Sequence, residues 1–118
     1  MRRARWFMKT EAKQRLLDAL EACRAVEQFA QGKDFTAYQA DEMLRAAVER
    51  KLEVIGEAFT KLADAEPELA ERFPDFRKIV GLRNRIIHGY DTVDDEIIWD
   101  VVENKLPALR RQVEKFLK

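Results

Sequence analysis

The sequence has little that would cross-link, interrupt or anchor the chain. Its 118 residues include one cysteine, three prolines and four glycines. The single cysteine, Cys23, excludes an internal disulfide and a cysteine-based zinc site, and its place on an apolar stripe predicts a buried side chain. No apolar run approaches the roughly 20 residues that a membrane span needs, and no signal-peptide core follows the basic N-terminus. These absences predict a cytoplasmic protein with a reduced thiol and no membrane partner.

An excess of charge of either sign is also absent. Lys and Arg number 22, Asp and Glu number 22, and the formal net charge is zero. Bulk electrostatics therefore give no argument for binding nucleic acid. The charges are nevertheless segregated, because residues 1–15 and 72–85 are mainly basic and every charged residue from 91 to 103 is acidic. We interpret each block as a solvated helix surface, with a basic cleft beside an acidic surface as the alternative.

Apolar residues recur every three or four positions, which predicts amphipathic helices. No strand pattern, internal repeat or low-complexity linker occurs. Thr92 and Asp95 resemble a capping box that opens the last helix, and Pro107 should kink or break it. The predicted fold class is all-α: one domain over residues 1–118, with four main helices and a short connector helix in an up-and-down bundle. The predicted helices cover residues 8–30, 37–63, 67–72 and 75–88, and a fifth follows Thr92.

The predicted helix over residues 75–88 carries an arginine on its apolar side. At about 100° per residue, Arg83 falls between Ile79 and Ile87. A guanidinium group stays charged and is costly to bury without a partner. It therefore needs a carboxylate, a phosphate-bearing ligand or a wet interface. Glu57 is a supporting ion-pair candidate on the preceding long helix, and Glu53 is another.

The same helix ends with the only histidine of the chain, His88. It lies about 140° around the helix from Arg83. Asn84 lies between the two, so these three side chains can line one edge of a pocket. The spacing leaves an alternative open, in which His88 interacts with the last carbonyls of the helix and Arg83 forms a structural ion pair.

Residues 83–90, RNRIIHGY, contain an arginine, four further residues, a histidine, any residue and a tyrosine. This pattern resembles the HEPN superfamily of small helical ribonucleases. More narrowly, it resembles the HepT-like toxins encoded beside a minimal nucleotidyltransferase antitoxin. The segment AVERKLEVIGEAFTKL is similar to the family's second helix. The segment FRKIVGLRNRIIHGYDTVDDEIIWDVVENKLPAL is similar to its fourth helix, turn and fifth helix, so the resemblance covers nearly the whole chain.

The resemblance implies an HEPN-type bundle that works as a homodimer, with the motif helices of both subunits meeting in a composite cleft. It implies the toxin of a type II/VII-like toxin–antitoxin pair, an endoribonuclease that cleaves tRNA or mRNA without metal or cofactor. Carried onto this sequence, Arg83 and His88 are the catalytic pair, and Asn84 is the polar residue after the motif arginine. Tyr90 matches the tyrosine that the nucleotidyltransferase modifies with AMP to silence the toxin.

The residue types suit this chemistry. Histidine titrates close to neutral pH and can take the proton of a 2′-hydroxyl, and the forked donors of arginine match phosphate oxygens. The expected products carry 2′,3′-cyclic phosphate and 5′-hydroxyl ends. The alternative function is a non-catalytic HEPN dimer that binds a nucleotide or a protein. For Tyr90 the alternative is an aromatic ring that packs at the corner between two helices.

The basic residues near the motif have two interpretations as well. We interpret each as a solvated charge, and contact with the RNA backbone is the alternative. A metal site is not predicted, because one histidine without cysteines or a carboxylate cluster provides too few ligands. The basic residues concerned are Arg72, Arg77, Lys78 and Arg85.

Overall fold

The computed structural model describes residues 10–88 and 93–118. These residues form α-helices joined by short turns, and they contain no strand. The all-α fold predicted from the sequence is thereby confirmed. The helices are α1 (Thr10–Ala30), α2 (Phe35–Ala40), α3 (Glu42–Ala65), α4 (Pro67–Ala70), α5 (Phe76–His88), α6 (Asp95–Asp100) and α7 (Leu106–Leu117), and a π-helical turn (Val101–Lys105) joins α6 to α7.

The central helix of the bundle is α3, which packs against α1 and against α5. The α7 helix packs against α1. One contiguous apolar core joins these helices, and within the described ranges no charged or polar residue is buried. No helix in this part of the chain is long and apolar enough to cross a membrane. Among the described helices, α5 packs mainly against α3, so α3 fixes the position of α5, which carries the sequence motif.

The single cysteine lies in this core. Cys23 is fully buried on α1, as the apolar stripe predicted. Burial raises the pKa of its thiol to about 12, and the nearby carboxylate of Glu27 adds to the rise. Because the thiolate is the reactive form of cysteine, this side chain is inert at neutral pH and serves as packing.

The predicted second helix, over residues 37–63, is two helices in the structure, and that prediction was wrong. Asp41 has extended backbone geometry between α2 and α3, and its carboxylate accepts a hydrogen bond from the Leu44 backbone N–H at 3.0 Å. Asp34 starts α2 in the same way, accepting from the Ala37 N–H at 2.8 Å. Aspartate side chains compete with the helix backbone for its own donors, and apolar spacing does not register that competition.

The last helix differs from the prediction at its start, whereas the interruption predicted at Pro107 is present as a π-turn directly before the proline. Asp94 caps α6, since its carboxylate accepts from the Glu96 N–H at 2.8 Å, whereas Thr92 lies outside the described residues. The α-helical geometry is interrupted over Val101–Lys105, directly before Pro107, and α7 begins at Leu106. Proline has no N–H to donate within an α-helical ladder, and the chain accommodates it with a π-turn in which the Leu106 N–H donates to the Val101 carbonyl. Widened turns of this kind let a helix continue past a local misfit.

Candidate functional site

The α5 helix has a side that faces α3 and a side that faces solvent. Phe76, Ile79 and Leu82 are buried on the inner side. Asn84 and His88 are exposed. They are four residues apart, and at about 100° per residue they lie about 40° apart around the helix. The exposed side of α5 therefore presents two of the three polar residues predicted for the site.

Arg83 lies on the inner side of α5, as its sequence position predicted, and is half-buried. Its stem packs against α3 at Gly56, where a methyl group built on the glycine would lie 2.2 Å from Cβ and 2.7 Å from Cγ of the arginine. The guanidinium Nη1 donates a hydrogen bond to Asn84 Oδ1 at 2.9 Å. Arginine stems commonly lie along packed surfaces while the charged group reaches water. This geometry turns the charge of Arg83 from the inner side of α5 toward the exposed side.

The ion pair predicted between Arg83 and Glu57 is not formed. The Glu57 carboxylate lies 3.8 Å from Lys61 Nζ, one turn further along α3, and Glu57 lines a groove on the α1 side of that helix. Glu53, the other candidate, pairs with Arg50 at 3.2 Å. Within residues 10–88 and 93–118 no carboxylate lies within salt-bridge distance of the Arg83 guanidinium. Residues three or four positions apart on one helix already lie close together, so an ion pair between them fixes few additional side-chain angles. This accounts for the pairing of both glutamates with basic residues of α3.

The structure thus brings Arg83 and Asn84 into contact and places His88 on the same helix, one turn beyond Asn84. Gly89 and Tyr90 lie outside the described residues, so the site is described as far as His88. No group of three or more histidine, cysteine or carboxylate side chains in the described ranges is arranged to hold a metal ion. The chemistry available at this position is that of an imidazole, a guanidinium and a carboxamide.

Two of the basic residues near the motif have protein partners. Arg77 pairs with Glu71, and its guanidinium carbon lies 5.1 Å from the centre of the Phe76 ring. The guanidinium carbon of Arg72 lies 5.9 Å from the centre of the Phe116 ring. Contacts of this type between a cation and an aromatic face are stabilising. For these two arginines the structure provides a structural role on the surface of the bundle.

The other two basic residues, Lys78 and Arg85, line an open groove between α5 and the helix that follows it. The sequence did not predict this groove, because it depends on how α6 and the π-turn pack beside α5. The lining of this groove also includes apolar residues, two acidic residues of α6 and a third cation, Lys105. The residues that complete the groove are Gly81, Leu82, Glu96, Ile97, Asp100, Val101 and Lys105.

Comparison with known proteins identifies the family. The sequence model of the family described as ribonuclease HepT-like matches residues 19–116, most of the chain. The chain belongs to the HepT-like ribonuclease family. It is 34% identical over 108 residues to "Putative RNase MJ1380" of Methanocaldococcus jannaschii, which covers 90% of this chain and 96% of that protein. It is 32% identical over 111 residues to "Probable ribonuclease HepT" of Thermococcus cleftensis, covering 94% of this chain and all of that protein. No solved structure matches the chain.

In this HepT-like chain, the residue that sequence reasoning missed is Gly56. It is the single glycine of the 24-residue α3 helix, and glycine in a helix interior costs about 1 kcal/mol relative to alanine. An isolated glycine within an apolar helical stripe is a signal of close packing by another element. The signal was present in the sequence, but the sequence does not identify the element that packs there as α5 or the contacting side chain as Arg83.

Proposed function

We propose that this chain is a metal-independent endoribonuclease that cleaves tRNA or mRNA, and that it is the toxin component of a toxin–antitoxin pair. The observation that carries the proposal is the geometry of Arg83. The guanidinium has no carboxylate within salt-bridge distance in the described ranges and is oriented by Asn84 toward the side of α5 that exposes His88. A permanent cation held in this way suits a phosphate group, and membership of a ribonuclease family makes the RNA backbone the source of that phosphate.

In the proposed reaction, His88 takes the proton of the 2′-hydroxyl next to the scissile phosphate. The 2′-oxygen attacks phosphorus, and the Arg83 guanidinium stabilises the charge that develops on the non-bridging oxygens. The bond from phosphorus to the 5′-oxygen then breaks, and the leaving oxygen takes up a proton from an imidazolium. Asn84 acts as the residue that orients Arg83. The products are a 2′,3′-cyclic phosphate and a 5′-hydroxyl, and no metal takes part.

We propose that the active form is a homodimer in which the α5 helices of two subunits line one cleft. Each chain contains one histidine, so a dimer supplies a second imidazole for the leaving group. Ile87, between the motif residues, is 45% exposed, and Val80, two turns earlier on nearly the same side of α5, is half-buried. Apolar side chains of this kind beside the motif support burial of that side of α5 against a second copy.

We further propose that a nucleotidyltransferase antitoxin silences the enzyme by transferring AMP to Tyr90. Tyr90 follows His88 by two residues in the sequence. An added AMP would bring bulk and negative charge to the end of the motif helix, and both would oppose the approach of RNA phosphate. This part of the proposal depends on the sequence position and the family, because Tyr90 lies outside the described residues.

The test is cleavage of purified total tRNA and of an mRNA in EDTA, after the mass of the intact protein has shown that no AMP is attached. Sedimentation in the same buffer measures the oligomeric state. We expect a dimer that cuts RNA and leaves cyclic-phosphate and 5′-hydroxyl ends. An unmodified dimer that cuts neither RNA would instead support the non-catalytic module that binds a nucleotide or a protein.

A further inference from the structure

The closest approach between α3 and α5 occurs at Gly56 and Arg83. A methyl group at position 56 would lie 2.2 Å from Arg83 Cβ and 3.3 Å from the Ile79 carbonyl oxygen, whereas ordinary van der Waals contacts of Cβ begin at 3.4 Å. Because Cβ is fixed by the backbone, rotating the arginine side chain cannot relieve this overlap. An alanine at position 56 would therefore push α5 and α3 apart by about 1 Å at this point.

The glycine provides a notch in α3 that holds the base of the arginine. With its stem in the notch, the half-buried Arg83 reaches Asn84 Oδ1 at 2.9 Å. Thr60 Oγ1, one turn further along α3, donates to the Gly56 carbonyl at 2.8 Å. Packed interiors transmit a local displacement of the backbone to whatever they hold. The direction of the Arg83 guanidinium is therefore set by α3 as well as by its own helix.

We propose that Gly56 is a positioning residue for Arg83: its missing side chain fixes the distance between α3 and α5 and so the place of the guanidinium. This inference depends on the proposed function for its effect on catalysis, but the contact itself does not. A displacement of about 1 Å in a catalytic group commonly costs up to about 100-fold in rate. We expect the loss in kcat and not in RNA binding, because the substitution removes none of the basic side chains that attract the RNA phosphates.

The experiment compares Gly56→Ala with Gly81→Ala, the same substitution on α5 at a position where a methyl group meets nothing within 4 Å. For Gly56→Ala we expect kcat to fall by about 10- to 100-fold with little change in KM for RNA. We also expect the NMR signal of the Arg83 Nε–H group, identified by its absence in Arg83→Lys, to shift. Gly81→Ala should keep the Arg83 signal and gain slightly in Tm, because alanine favours the helix. Arg111→Ala, an exposed substitution on α7 away from α5, is the control that should keep the wild-type kcat.

If Gly56→Ala is unstable, a double-mutant cycle that compares Tm values tests the contact between Gly56 and Arg83 without using catalysis. Gly56→Ala should lower Tm by about 5–15 °C in the wild-type background. In the Arg83→Gly background, which has no Cβ to meet, it should lower Tm far less. If Gly56→Ala does not fold alone, recovery of the fold in the double variant supports the contact. Failure of both to fold shows that other parts of the core need the glycine, and it overturns the proposal.

A folded Gly56→Ala protein with wild-type kcat and an unshifted Arg83 signal would also overturn it. If the wild-type protein cleaves no RNA, the proposed function fails separately. The NMR signal and the Tm cycle then decide whether Gly56 positions Arg83, because neither measurement uses catalysis.

Discussion

Replacing His88 with alanine is expected to lower the rate of RNA cleavage by about 10²–10⁴-fold, the range found when a positioned general acid or base is removed. His88 is exposed at the end of α5. Substitutions at such surface positions usually change the free energy of unfolding by less than about 0.5 kcal/mol. The variant should therefore be as well folded and as dimeric as the wild type, and the loss should appear in kcat. Single-turnover cleavage in EDTA, with circular dichroism and sedimentation on the same samples, measures all three properties.

The matched control is Arg111→Ala, which removes an exposed charged side chain from α7. It should cleave at close to the wild-type rate. The alternative role for His88, an interaction with the last carbonyls of α5, makes the opposite prediction. In that case His88→Ala would lose stability, by up to about 1 kcal/mol, and would keep its cleavage rate. A stable and fully active His88→Ala protein would exclude both roles.

Replacing Arg83 with lysine is expected to lower kcat by about 10²–10³-fold, equivalent to about 3–4 kcal/mol of transition-state stabilisation. Lysine keeps a positive charge and a stem of similar length to lie along α3 at Gly56. It lacks the forked donors with which a guanidinium contacts two oxygens of one phosphate. The lysine variant therefore removes the geometry of the contact while leaving most of the packing in place. Steady-state kinetics on a short RNA substrate separate the loss in kcat from any change in KM.

Two further variants define what that result means. Arg85→Lys changes an arginine on the exposed side of the same helix. Its kcat should remain close to the wild-type value, because this position does not need two guanidinium donors on one phosphate. Arg83→Ala should lose the stem packing as well, so its Tm should fall below that of Arg83→Lys. An Arg83→Lys enzyme with wild-type kcat would show that any cation suffices at this position, and the phosphate-fork role would then be wrong.

The fold could be predicted from sequence because its helices are long and regularly amphipathic. The helix that ends at His88 was placed within one residue at its start, since its apolar spacing and the glycine after it are local signals. The break at Asp41 was missed because a side-chain cap acts over three residues, while apolar periodicity is read over a full helix. The interruption at Pro107 was predicted, but its form as a π-turn was not, because the packing around a proline decides how the chain accommodates it.

The position of Arg83 on the inner side of α5 could be predicted from the sequence, but its contacts could not. An arginine on an apolar helix side is visible in the sequence, and its need for a partner follows from its charge. Which partner it takes depends on the packing of α5 against α3, and the candidate chosen from the sequence, Glu57, faces the α1 side of its helix. The notch at Gly56 and the hydrogen bond to Asn84 are tertiary details of the same kind.

The measurement that tests the central claim most directly uses an RNA with a single 2′-deoxy nucleotide at the bond that the enzyme cuts. The reaction is run in EDTA with unmodified wild-type protein, beside the all-ribose strand. If a 2′-oxygen activated by His88 is the nucleophile, the substituted bond has no group to attack phosphorus. We then expect the all-ribose strand to be cut and the substituted strand to stay intact at that bond. Cleavage of both strands at the same rate would contradict a metal-free reaction through the 2′-hydroxyl.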